Sequence, residues 1–134
     1  MFAKLLVTFG LLVFGLLLPI LEIGDTHVFN PAWPPHARLH EVWQLTTNSS
    51  LAIVGLWLVW ARGRIIMASI IGLCVMGGVV IAHLIEARYG GALVYPGGPS
   101  LALFGISAAF LIPLAAMSSF VLAVFVSHQS AHRG

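Results

Sequence analysis

Long apolar runs alternate along this chain with short stretches that hold most of its prolines and half of its charges. There are four such runs, and each reaches the roughly 20 residues needed to cross a bilayer's hydrocarbon core. They predict helices over about 2–22, 36–60, 65–87 and 100–126. The first begins with a single lysine, Lys4, and stays apolar to Leu21. It is longer than a signal-peptide core of about 7–15 residues, and no small-residue cleavage site follows, so it reads as a membrane helix with Gly24 as its stop. Residues 24–35 are a rigid connection, because Asn30-Pro31 and Pro34-Pro35 cannot be helix interior. Trp33 between them suits a membrane interface. Ala61-Arg62-Gly63-Arg64 makes a basic turn between helices two and three. Gly72, Gly77 and Gly78 on helix three allow a neighbouring helix to come close. Gly90 to Pro99 forms a loop, and small residues Gly105, Ser107, Ala108 and Ala109 suit packing in helix four. Pro113 predicts a kink there. Residues 127–134, with His128 and His132, read as a frayed polar tail.

Composition narrows the class. Of 134 residues 60% are hydrophobic and 7% charged, where a soluble domain carries roughly a quarter charged. The expectation is an all-α fold: a single domain over residues 1–134, an integral membrane four-helix bundle running up-down-up-down. The pI of about 9.2 rests on six basic residues against four acidic ones. No basic run exists, so nucleic acid is not an expected partner. The one cysteine, Cys74, can form no internal disulfide and reads as a small core residue. Lys4, Arg62, Arg64 and Arg133 fall on one side of a four-crossing chain, and only Arg38 and Arg88 on the other. The positive-inside rule then puts both termini in the cytoplasm, in a multi-pass protein of a bacterial inner (plasma) membrane.

That orientation collects the chemistry at the opposite end. Glu22, Asp25, Glu41 and Glu86 are the only carboxylates, and all lie there with His27, His36, His40 and His83. Within helix two, His36, His40, Gln44 and Asn48 recur at steps of four, which marks one polar stripe. Lipid cannot satisfy such groups, so the stripe is expected to face the bundle, with Leu45 and Leu56 turned toward lipid or a neighbour. His40 and His83 lie at similar depth from the basic turn. With Glu86 they are the expected catalytic centre, able to hold and move protons. Asp25, His27, Asn30, Trp33, His36, Gln44 and Asn48 are the expected ligand-binding residues. An alternative is metal held by His36, His40, His83 and Glu86, since His pairs at i,i+4 and His/Glu at i,i+3 can share one ion. A b-type haem between His40 and His83 is another form of it. Plain interfacial solvation of helix ends explains Arg38, Glu41 and Arg88 equally well, but not Gln44 and Asn48, which lie deeper.

The run Asn30-Pro31-Ala32-Trp33-Pro34-Pro35-His36-Ala37-Arg38-Leu39-His40, preceded by Thr26-His27, resembles a family of small bacterial and fungal four-helix membrane proteins without an assigned biochemical function. More remotely, the layout is similar to the four-helix core of the sterol isomerase and sigma-2 receptor group. That resemblance implies a membrane-embedded cavity for sterol-like amphiphiles and isomerase-type proton transfer. The expected function is therefore an outer-leaflet polar pocket that binds a membrane lipid or amphiphilic small molecule, with acid–base chemistry on it as the enzyme reading. Two alternatives stand beside it: a metal- or haem-binding membrane protein, and a non-catalytic accessory subunit of a larger membrane complex. No pattern names a cofactor, and the sequence leaves open a homo-oligomer.

Overall fold

The structure, a computed structural model, describes residues 1–94 and 101–132. Most of it is helix. Helix α1 runs over Phe2–Glu22, α2 over Pro35–Trp60, α3 over Ile65–Leu84 and α4 over Ala108–His132. All four are long and apolar enough to cross a membrane. A 3-10 turn, Glu86–Arg88, follows α3, and a two-residue hairpin pairs β1 (Ala102–Leu103) with β2 (Ile106–Ser107) ahead of α4.

The hairpin corrects the expected start of helix four. That helix was placed from about residue 100, but it begins at Ala108, and Ser100 itself lies outside the described residues, as do Pro96, Pro99 and Arg133. Phe104 and Gly105 both take positive φ, at 53° and 79°, the backbone that a tight hairpin turn requires. Gly105 is thus a turn residue and not a packing residue. The Ser107 hydroxyl then accepts the Ala109 N–H at 3.2 Å, an N-cap that starts the helix one residue later. At its other end α4 continues to His132, where a frayed tail was expected.

Helix α1 is interrupted by a π-helical turn, Val13–Leu17. Pro19 has no N–H to give the carbonyl of Gly15, four residues earlier, and its ring crowds that carbonyl. A wider turn relieves the crowding, and the Ser49 hydroxyl on α2 donates to the Gly15 oxygen at 2.9 Å. The orphaned acceptor becomes a tie between two helices.

Around that tie the core is built from small-against-large contacts. Phe120 on α4, fully buried, enters a slot where any side-chain carbon on Gly10 or Gly72 would collide with its ring. Phe14 meets it at 6.4 Å between ring centroids. Leu11 lies against Gly55, and Ala52 against Gly15. Helix α4 packs mainly on α3 and the first part of α1, while α2 packs on α3 and on the π-helical turn. Gly77 and Gly78 have open space beside them; of the three glycines expected to admit a neighbour, only Gly72 does.

The outer faces are apolar too. Phe9, Ile53, Ile70, Ile81, Val121 and Phe125 are all exposed. Cys74, expected in the core, is exposed among them, because α3 turns Ala68, Ser69, Gly72 and Met76 inward instead.

Candidate functional site

The site begins where α1 ends. Glu22, its last residue, is followed by a loop that folds back over it, held by Asn30. The buried Asn30 side chain donates to the Thr26 carbonyl at 3.0 Å and accepts the Ala32 N–H at 2.9 Å. The second bond closes an Asx turn across Pro31. That fold brings His27 onto Glu22, with Nδ1 at 2.7 Å from the carboxylate and Thr26 Oγ1 at 2.9 Å from the same nitrogen. Trp33 packs edge-on against the imidazole at 5.5 Å between ring centroids. Glu41 on α2 lies within electrostatic reach of both His27 and Glu22.

A second imidazole–carboxylate pair forms where α3 ends. His83 Nδ1 lies 2.9 Å from Glu86 Oε2, and its ring rests on Phe110 at 5.1 Å between centroids. The 3-10 turn after α3 sets this reach, and the Tyr89 hydroxyl ties the turn back to the Ala82 carbonyl at 2.9 Å.

Two adjoining cavities connect the pairs. One, of about 440 Å³, takes in Glu22, Thr26, His27 and Glu41, with Leu18, Leu21, Leu45 and Ile112 as its apolar wall. The other, of about 420 Å³, takes in His83, Glu86 and Tyr89. Gln44, Asn48, Val79 and Leu93 line both. Pro113, in the larger cavity beside Ala109, withholds the N–H that the Ala109 carbonyl would otherwise accept. Neither wall carries a lysine or arginine among the described residues.

Of the expected ligand-binding residues, His27, Gln44 and Asn48 line these cavities; Asp25, Asn30, Trp33 and His36 line neither. Of the expected centre, His83 and Glu86 come together and His40 does not join them. His40 is exposed and pairs with His36, Nε2 to Nε2 at 3.0 Å, while its ring stacks on Trp43. The reason is helical geometry. A step of four residues advances about 40° beyond a full turn, so a stripe of four members sweeps about 120° around the helix. Asn48 and Gln44 reach the cavities; His40 and His36 have rotated to the outside. The bundle-facing line is instead Leu45, Ala52, Gly55 and Val59, with Leu56 packed partly against the core. Of the two directions expected for these leucines, lipid or a neighbour, both take the second and pack within the bundle.

The same rotation separates the proposed metal set. Among the described residues no three of His, Cys, Asp and Glu converge to hold an ion, so His36, His40, His83 and Glu86 do not act as one group. Nor do His40 and His83 face each other as a haem pair would require. Glu22, Thr26 and Glu41 were absent from the expected site. Glu41 could have been found from the sequence, since it continues the Leu45, Ala52, Val59 line at helical spacing.

A family described as being of unknown function, DUF6640, matches residues 6–128. No curated protein and no solved structure matches the chain, so the likeness to the sterol isomerase and sigma-2 receptor group has no support from a match.

Proposed function

The chain belongs to that family of unknown function, and from its geometry we propose that it is a multi-pass membrane protein whose adjoining cavities bind an amphiphilic small molecule or lipid. The observation that carries this reading is the two-sided wall of the larger cavity. Leu18, Leu21, Leu45 and Ile112 supply an apolar side, and Glu22, His27, Glu41, Gln44 and Asn48 a polar one. Volumes of this size suit a small-molecule site. A head group with hydrogen-bond donors meets carboxylates and side-chain amides; a hydrocarbon portion meets leucines.

Orientation supports an outer-leaflet site. The Lys4 ammonium lies 5.3 Å from the Trp60 ring centroid and the Arg62 guanidinium 5.5 Å from that of Trp57. Lys4, Arg62 and Arg64 thus gather at one end, away from the cavities. The positive-inside rule assigns that end to the cytoplasm, with the helices running up-down-up-down. The His27–Glu22 and His83–Glu86 pairs are the groups placed to take a proton from a bound molecule and return it.

Photolabelling with a diazirine-bearing fatty alcohol tests the reading. Labels are expected on Leu18–Glu22 and around Ile112, and most of the labelling is expected to disappear in Leu45→Trp, which fills the cavity, and in the milder Gln44→Leu. Equal labelling of both variants, or labels confined to the outer helix faces, would overturn it. Carbon-bound deuterium acquired from heavy water by an unsaturated lipid incubated with the protein, and lost in Glu86→Gln, would add the acid–base step.

A further inference from the structure

The histidines that left the cavity carry an inference of their own. We propose that His36 and His40 form an exchangeable transition-metal site on the outer face of α2, holding one Cu²⁺ or Ni²⁺ ion per chain through their Nε2 atoms. Two imidazoles at i,i+4 on a rigid helix can chelate one ion, and here the two Nε2 atoms share a hydrogen bond of 3.0 Å, whose proton the ion would replace. With metal–nitrogen bonds of about 2.0–2.1 Å, nitrogens in adjacent positions of a square or octahedral ion lie about 2.9 Å apart, and those of a tetrahedral ion about 3.4 Å. Small side-chain rotations from the hydrogen-bonded contact reach either spacing, so the choice of ion rests on the ligands: exposed imidazole nitrogens suit Cu²⁺ and Ni²⁺. The order of divalent affinities favours copper further.

The pair is held in place by its surroundings. Pro35 occupies the first turn of α2, with φ preset for helix, which holds His36 and His40 one turn apart. Trp43 stacks on His40 at 5.7 Å and 28° between ring planes, limiting rotation of that imidazole. The two imidazoles meet nearly at right angles, 87°. Both residues are exposed in the first two turns of a 26-residue helix, longer than the roughly 20 residues that cross the hydrocarbon, so this end reaches the interface and water can occupy the remaining positions around the ion. The positive end of the helix dipole opposes a cation here. With only two protein nitrogens bound, the ion exchanges readily.

The test uses the full chain in detergent, freed of any affinity tag and titrated with Cu²⁺. The expected result is one ion per chain, an electron paramagnetic resonance spectrum showing two equatorial nitrogens, and quenching of tryptophan emission that shrinks in Trp43→Phe. His36→Gln or His40→Gln should lose the two-nitrogen spectrum with an unchanged melting midpoint, while His83→Ala and His128→Ala keep it. A spectrum that survives in His36→Gln, binding lost in His128→Ala instead, or half an ion per chain would each overturn the proposal. The site stands apart from the cavities, so its failure leaves the amphiphile reading untouched.

Discussion

Phe120 is buried only because two other helices give up a side chain to it. Gly10 on α1 and Gly72 on α3 flank the ring, and a methyl group at either position would have to occupy its space. The ring is fully buried in a packed core, so it cannot move aside cheaply. Gly72→Ala and Gly10→Ala should therefore destabilise the protein by about 1–3 kcal/mol, the usual cost of overpacking. Gly77→Ala and Gly78→Ala, beside open space, should match the parent or gain from helix propensity. Melting midpoints in detergent separate the two pairs; equal losses in all four would refute the slot. Glycines on helix three mark a close approach in the sequence, but which of them meets a ring depends on the rotation of α3 against α1 and α4.

The elements are shaped by backbone groups that proline leaves without partners. In α1 the π-helical turn and the bond from Ser49 both follow from the N–H that Pro19 lacks. Ser49→Ala leaves the Gly15 carbonyl without that donor and should cost about 1–3 kcal/mol. Pro19→Ala returns an N–H to the same carbonyl, so Ser49→Ala should cost much less in a Pro19→Ala background. A double-mutant cycle measures this coupling directly. Costs that simply add would break the link between proline and serine. Proline and its position can be read from sequence; the hydroxyl that compensates for it lies on another helix, 34 residues beyond Gly15.

The molecule as a whole separates its charges. Basic side chains gather with the tryptophans at the α2–α3 turn, and imidazole–carboxylate pairs sit at the opposite end. In the proposed orientation a reporter fused after Gly134 should be cytoplasmic, and one inserted at Ala32 extracytoplasmic. A C-terminal reporter on the outside would reverse the orientation and place the cavities in the inner leaflet. The binding site itself would remain, since its walls come from packing and not from the side it faces.

Hydropathy and length alone determined the four long apolar helices, because each is a property of consecutive residues. The clustering of carboxylates and histidines at one end followed from the order of helices and turns. So did the pairing of His83 with Glu86, which sit three residues apart in the chain. Rotation about each helix axis was decided only in three dimensions. A polar stripe at steps of four and an apolar line running through Leu45, Ala52 and Val59 share the same helix; the stripe turns about 40° with each step of four, while each step of seven drifts about 20° the other way. Sequence spacing does not choose between them. The choice falls to the fit of Ala52 against Gly15, Gly55 against Leu11 and Ser49 against an orphaned carbonyl. That fit turned Leu45 and Glu41 inward and left His36 and His40 outside.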